Sequence, residues 1–598
     1  MVKKIQLLIL GAILTSAVFI PFSMAQERPD NPEAPVERQV LIPHKQDLRA
    51  DGPMVVTAHP LATDAAITTL ESGGNAADAA IAAQLVLGLV EPQSSGLGGG
   101  AFLLYYDAQD GSLFTLDARE TAPLQADQNL FMDKGQPLDF WQAVIGSRAV
   151  GTPGTPKLLS SMHKRFGQKN WETLFDPAIG LAENGFEISP RLAKLIVKDA
   201  PRLKTFPQTR DYFFNEDGSP KAKGTVLKNP DYAETLRLYR EQGEVAFYRG
   251  ALAHEIIAAV RRAPVNPGKL ALKDLKEYKV KDRPNLCGPY RGYTICSMGE
   301  PSSGGLTLLQ ILGMLEHYDL GDEPNATAIH LIADASRLAF AERNFYMADP
   351  DFVRTPRALL LHPDYIKERG ELLSAARRLT ENETTPGIPP GWPSTNRSPD
   401  SVIKPPGTTH ISIVDDAGNM VSMTSTIEQA FGSRLMTNGF LLNNELTDFS
   451  FRPEKNGWDV ANKVEPGKRP RSSMAPTVVF RPDGSPYLIV GSAGGSRIIG
   501  YVLKTIIHVI DWDTNIDNAL AAPHFLARGP KIEVETGLES FIPALESKGH
   551  FVDIGPMNSG LTAIYFHDDG SKTGAADPRR EGKAASVETR RTEQELKE

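Results

Sequence analysis

Residues 407–433 read GTTHISIVDDAGNMVSMTSTIEQAFGS, in which two strand-like runs, Thr409–Val414 and Met420–Thr426, flank the turn sequence Asp415-Asp416-Ala417-Gly418-Asn419. A hairpin centred on Ala417 sets Thr408 opposite Thr426 and so brings two hydroxyls together at the end of a strand. Upstream, Lys404-Pro405-Pro406-Gly407 closes a long irregular stretch, 380–407, dense in Pro, Thr and Ser. The prolines restrict the chain, and Gly407 lets the backbone approach without a Cβ clash, so the Thr408 hydroxyl is placed to attack the carbonyl before it. Cleavage there would free the Thr408 α-amino group, with a reference pKa of roughly 7.7–8, to act as base for its own hydroxyl. On spacing alone, Thr408 and Thr409 read more readily as the start of a β-strand, where threonine is favoured.

A second feature supports the chemical reading. The apolar strand 487–492 is followed by Ala493-Gly494-Gly495-Ser496 and then by Ile498, Ile499, Val502, Leu503, Ile506 and Ile507 at helical spacing. Strand, Gly-Gly, helix presents unobstructed backbone N–H groups at a helix start, which suits a developing oxyanion. A tight strand-to-helix turn is the plainer explanation of the same pattern.

The rest of the chain supplies scaffold and context. Residues 61–71 read as a helix stopped by Ser72-Gly73-Gly74, and Ala76–Val90 is so rich in Ala, Leu and Val that it is expected to be a buried helix, ended by Pro92. The glycine-rich SSGLGGGAFLLYYD that follows lacks the Gly-Lys-Ser/Thr ending of a phosphate loop. Residues 160–280 are mostly helical in pattern, and another helix is expected over Ala326–Tyr346. At the N-terminus, Lys3 and Lys4 precede an apolar run, 5–20, and then Ser23-Met24-Ala25, the small-x-small form of a signal-peptidase site. Cleavage after Ala25 is therefore expected, leaving no stable membrane anchor and a periplasmic or secreted protein. Residues 26–48 read as a linker with order beginning near Met54, and a charged tail from about 580 to 598 as disordered.

Of the 598 residues, 41% are hydrophobic and 23% charged, and 64 basic against 73 acidic residues give a formal charge of -9. That composition is too polar for a multi-span membrane protein and too acidic for a phosphate-backbone binder, so nucleic acid is not an expected partner. The two cysteines, Cys287 and Cys296, lie in NLCGPYRGYTICSM. A hairpin about Arg291-Gly292 would set them opposite one another, where a disulfide is plausible in an oxidising compartment; two unrelated thiols are the alternative. Neither CxxC nor HExxH occurs, so the sequence gives no support for a metal.

The run 407–433, followed by LLNNELTDFS, KRPRSSMAPT, GSAGGSRI and GAADPR, resembles the catalytic half of a γ-glutamyltranspeptidase of the N-terminal nucleophile hydrolase superfamily. Upstream, SSGLGGGAFLL, LDARETAP, GTPGTP, YRGY and PSSGG extend the resemblance over nearly the whole mature chain. It implies a four-layer αββα sandwich, autoprocessed between Gly407 and Thr408 into a large subunit ending at 407 (its folded part from 49) and a small catalytic one of 408–598, the two associating. By the same resemblance Thr408 is the nucleophile, Thr426 assists it, and Gly494 and Gly495 form the oxyanion hole. Arg119 with Ser472 and Ser473 would bind a substrate α-carboxylate, while Asp448 with Glu445 and Glu428 would hold its α-ammonium. The chemistry agrees, since a zwitterion needs a guanidinium and hydroxyls at one end and carboxylates at the other.

The substrates so implied are glutathione and other γ-glutamyl amides, with water, an amino acid or a peptide as acceptor and no cofactor. A cephalosporin or glutaryl acylase is the nearest alternative, disfavoured because a glutaryl group offers three carboxylates no cation. An exported binding protein with a vestigial site is the other. Glu428 and Glu445 stand where many members carry Asn and Gln. The segment between Phe449 and Lys468 is short for the lid loop of some relatives, and Trp458 is the residue available to replace that lid's tyrosine.

Overall fold

In the computed structural model, which describes residues 48–400 and 407–588, the hairpin forms in the expected register: Thr409 pairs Ser425 and Val414 pairs Met420. The Asp415 carboxylate fixes its turn by accepting from the Ala417 and Asn419 amides, and Gly418 supplies the positive φ of 85°. These strands are the centre of a seven-stranded antiparallel sheet ordered Lys583–Ser586, Met54–Thr57, Thr409–Val414, Met420–Thr426, Gly100–Asp107, Ser112–Ala118, Lys281–Arg283. A second, also antiparallel, runs Leu48–Ala50, Lys572–Ala576, Thr562–Phe566, Pro486–Gly491, Thr477–Phe480, Tyr293–Ser297, Leu286–Tyr290.

Strand alternation sorts the layers. Val55, Leu103, Ile411, Ile413, Val421 and Met423 pack with the helices Pro60–Glu71 and Ala76–Val90. Their neighbours Met54, Val56, Phe102, Leu104, Val414 and Met420 instead join the core of the second sheet, whose other face is covered by Gly304–Leu315, Ala326–Tyr346 and Ile498–Ile510. The order is helix, sheet, sheet, helix. Ala76–Val90 is buried along its whole length, as its composition requires, and Asn75 and Asp78 cap it reciprocally. Two strands of the first sheet, Thr409–Val414 and Met420–Thr426, follow residue 407 and sit inside strands that precede it, so the two halves share one sheet.

Cys287 pairs with Cys296 across the strands Leu286–Tyr290 and Tyr293–Ser297, and the two are joined by a disulfide. Two boundaries differ from expectation. The strand Leu48–Ala50 begins ahead of Met54, because it completes the edge of the second sheet against 572–574. The tail is ordered past 580: Lys583–Ser586 pairs with Met54–Thr57, and backbone pairing outweighs local charge there. Trp458 is 46% exposed, beside the turn of a small hairpin whose residues Asn456 and Gly457 have positive φ, and it is not among the residues lining the cleft at Thr408. The expected leader and most of the linker, with residues 401–406 and 589–598, fall outside the described residues.

Candidate active site

Thr408 lies at the entrance to the strand Thr409–Val414, buried, with φ of 93°. A β-branched residue rarely adopts this conformation, at a cost of about 1–3 kcal/mol, so the surrounding contacts must hold it there. Three contacts do so. The Thr408 hydroxyl donates to Thr426 Oγ1 at 3.0 Å; Thr426 Oγ1 also accepts from the Glu428 amide at 2.8 Å; and the Arg580 guanidinium donates to the Thr408 carbonyl at 2.9 Å. One residue earlier, the Gly407 carbonyl accepts from the Gly494 amide at 3.2 Å. The carbonyl that precedes Thr408 therefore already rests on an amide of the kind that can stabilise an oxyanion.

Glycine is required at these points. A Cβ on Gly407 would fall 1.8 Å from the Glu428 carbonyl oxygen, and one on Gly494 would fall 2.5 Å from the Tyr501 ring. Gly494 and Gly495 have φ of 133° and 59°, and the chain turns from Gly495 through a short 3-10 segment into the helix Ile498–Ile510.

Beyond Thr408 a cleft is lined by Arg119, Thr426, Glu428, Glu445, Asp448, Ser472, Ser473 and Gly495, which the sequence singles out. Gly494 stands just behind it, contributing its amide. Arg343, Asp400, Arg471, Met474, Ser496 and Ile498 complete the wall and were not foreseen. Each of the three charged ones is an ordinary side chain in its local sequence, and only the fold brings it to the cleft. Arg119 is almost completely buried and donates to Glu445 and Asp448, with Nε on the Pro470 carbonyl at 3.1 Å. Burial pulls its pKa down, but Glu445, Asp448 and Glu120 reverse that and the net shift is upward. The guanidinium stays charged.

Burial, and then the Asp448 charge against the opposing pull of Arg119, raises Glu445 to about 7. Glu120, next to Arg119 in sequence and also fully buried, is held well above the usual carboxylate range by burial and by Glu445. Glu428, with φ of 75°, accepts through its carboxylate from the side-chain Nδ2 of Asn444. Ser472 Oγ accepts from the Met474 amide at 3.1 Å, and Ser473 Oγ from Arg343 at 2.7 Å. The site thus sets a buried threonine hydroxyl and a backbone amide beside a cleft lined by three arginines, Arg119, Arg343 and Arg471, and four carboxylates, Asp400, Glu428, Glu445 and Asp448, a combination able to bind a zwitterion.

The gamma-glutamyltranspeptidase family profile matches residues 62–587. The chain belongs to this family. It is 36% identical over 97% of its length to the glutathione hydrolase proenzyme of Bacillus subtilis strain 168, covering 98% of that protein. It is 34% identical over 89% of its length to the acylase ACY 1 proenzyme of Pseudomonas sp. strain V22, covering 93% of that one. Among solved structures, the cephalosporin acylase of Bacillus halodurans superposes with a TM-score of 0.80 at 27% identity, covering 94% of this chain and 98% of that one. The four-layer architecture is accordingly that of an N-terminal nucleophile hydrolase, and the chain is an acyl-transferring and hydrolysing enzyme of the gamma-glutamyltranspeptidase family.

Elsewhere, among the described residues, His330, Asp334 and His550 bring possible metal-ligand atoms within 4.8 Å of one another. Their lone pairs are already used: His550 Nδ1 faces the Arg337 guanidinium at 3.2 Å, His550 Nε2 meets His330 Nδ1, and His330 Nε2 meets the Ser374 carbonyl at 2.6 Å. Arg337 donates into Nδ1, so Nε2 carries the His550 proton, and the group reads as a hydrogen-bonded chain joining the two halves of the molecule. No helix of the described residues is long and apolar enough to cross a membrane.

Proposed function

We propose that the chain cleaves itself between Gly407 and Thr408 and then transfers γ-glutamyl groups, from glutathione or other γ-glutamyl amides, to water or to an amino acid or peptide. The observation that carries this reading is the seating of the Gly407 carbonyl on the Gly494 amide, with the Thr408 hydroxyl held at Thr426 Oγ1 and Arg119 and Asp448 lining the same cleft. In self-cleavage the Thr408 oxygen adds to the Gly407 carbonyl carbon, and Gly494 stabilises the oxyanion. The C–N bond breaks as the Thr408 nitrogen gains a proton, leaving an ester that water hydrolyses to a Gly407 carboxylate and a free Thr408 amine.

The same steps then serve a donor. The Thr408 amine, with a reference pKa of roughly 7.7–8, takes the hydroxyl proton as Oγ1 attacks the γ-carbonyl. Gly494 and Gly495 hold the oxyanion, the leaving amine takes the proton, and a γ-glutamyl ester remains on Thr408 for water or an amine to cleave. The donor's α-carboxylate takes up Arg119, Ser472 and Ser473, and its α-ammonium takes Asp448, Glu445 and Glu428, replacing the internal pairs of Arg119 with Glu445 and Asp448 by intermolecular ones. Removal of the leader and export to the periplasm or exterior belong to the same proposal, which the Cys287–Cys296 disulfide supports.

The acylase relatives favour one competing reading, hydrolysis of glutaryl amides. The three carboxylates weigh against it, because a glutaryl group brings them no counter-charge. Intact mass and N-terminal sequencing, with turnover of γ-glutamyl and glutaryl p-nitroanilides, separate the possibilities. Two chains, the smaller starting at Thr408, an uncut Thr408→Ala variant and a preference for γ-glutamyl are expected. An uncut, folded wild type would refute the self-cleavage, and a glutaryl preference the substrate assignment.

A further inference from the structure

Arg343 sits in the last turn of the helix Ala326–Tyr346, is 6% exposed and lines the cleft. Its three hydrogen-bond partners are all neutral: Nε donates to Ser303 Oγ at 2.8 Å, Nη1 to Asn344 Oδ1 at 2.9 Å, and Nη2 to Ser473 Oγ at 2.7 Å. Among the described residues no carboxylate forms an ion pair with it, whereas Arg119 is paired with Glu445 and Asp448, and Arg471 with Asp400 at 3.0 Å. The helix carbonyls nearby compensate only part of such a charge. Burial, with Arg471 and Arg528, disfavours the cation, and Asp400 and Asp448 offset this only in part. A buried guanidinium without an anion is costly, and one facing a cleft is relieved when an anionic ligand enters.

The direction of the serine hydrogen bonds gives that ligand a place. Because Arg343 donates to Ser473 Oγ and the Met474 amide donates to Ser472 Oγ, both hydroxyls have an accepting role filled by the protein. Each keeps its own O–H to give to an acceptor. We infer that Arg343 is a positioning and specificity-determining residue for the acyl donor's α-carboxylate: it orients Ser473 as a donor and supplies the positive charge that the carboxylate completes. This rests on the proposed reading only in requiring a carboxylate-bearing acyl group, which γ-glutamyl and glutaryl donors share.

The test compares three p-nitroanilides on the processed enzyme: L-γ-glutamyl, glutaryl, which lacks the ammonium, and 4-aminobutyryl, which lacks the carboxylate. Arg343→Met is expected to lower kcat/KM for both carboxylate donors by about thirtyfold, the scale of hydrogen bonds to a charged group, with the loss in KM and kcat within threefold. For 4-aminobutyryl, followed at high enzyme concentration, kcat/KM is expected within threefold of wild type. Arg343→Lys restores part of the loss by keeping the charge. If Arg343→Met is not processed, Ser473→Ala carries the comparison, with about a tenfold loss confined to the carboxylate donors. Equal losses on all three acyl groups, or a loss lying in kcat alone, would overturn the inference. The wild-type preference between γ-glutamyl and glutaryl decides the preceding proposal independently.

Discussion

Gly407→Ala is a sharp test of the cleavage geometry, because it removes no reacting group and changes only where the 407 carbonyl can sit. The new Cβ would stand 1.8 Å from the Glu428 carbonyl oxygen, 2.8 Å from its carbon and 3.2 Å from Gln429 Cα, all backbone atoms, against an ordinary contact of about 3.5 Å. Neither side can yield by rotating a side chain, so the 407 peptide must shift by more than an ångström. Its carbonyl then leaves the Gly494 amide, which it meets at 3.2 Å. Loss of one oxyanion donor costs about 10²–10³ in rate, or roughly 2.7–4 kcal/mol, so self-cleavage should slow by that factor although Thr408 and Thr426 are intact. The assay follows freshly purified precursor by intact mass, scoring the fraction converted to two chains against time, with circular dichroism to verify folding. Whatever fraction is processed should turn over a γ-glutamyl anilide with wild-type kcat, since residue 407 has left the nucleophile. Cleavage within tenfold of wild type would refute the role given to the Gly407 carbonyl.

Three further outcomes are expected. Thr426→Val removes the acceptor of the Thr408 hydroxyl and should slow both cleavage and acyl transfer by about 10–100-fold, measured as processing half-time and as kcat. Glu445, raised to about 7 chiefly by burial, loses its negative charge as pH falls through that value; KM for γ-glutamyl donors should rise on the acid side, and Glu445→Gln should flatten that limb of a KM–pH profile. Replacing both Cys287 and Cys296 by Ser opens a bridge across a sequence separation of 9, costing roughly 2–3 kcal/mol in denaturant unfolding and leaving kcat unchanged, because the bridge lies at the outer edge of the second sheet.

The central hairpin was legible because period-2 alternation and the turn Asp415-Asp416-Ala417-Gly418-Asn419 are local properties, and its register follows from the turn once the centre is known. For the same reason the register that sets Cys287 opposite Cys296, the buried helix Ala76–Val90 and the strand, Gly-Gly, helix passage could be read from the residues alone, whereas local pattern leaves open whether the two cysteines are bonded. Motif order then located Arg119, Glu428, Glu445, Asp448, Ser472 and Ser473, which line one cleft. What local pattern could not supply was the state of each charge. Arg119 is paired with Glu445 and Asp448, Arg471 with Asp400, and Arg343 with neutral oxygens alone, although the three arginines are alike in sequence.

Burial and pairing depend on groups brought together from distant parts of the chain, so only the tertiary structure separates the satisfied cation from the uncompensated one. It likewise turned Trp458 out to solvent, tied the expected tail to a sheet edge at Lys583–Ser586, and closed the His330–His550 chain across the two halves. Local sequence determined which groups could do the chemistry. Long-range packing decided which of them are held, charged and facing the same space.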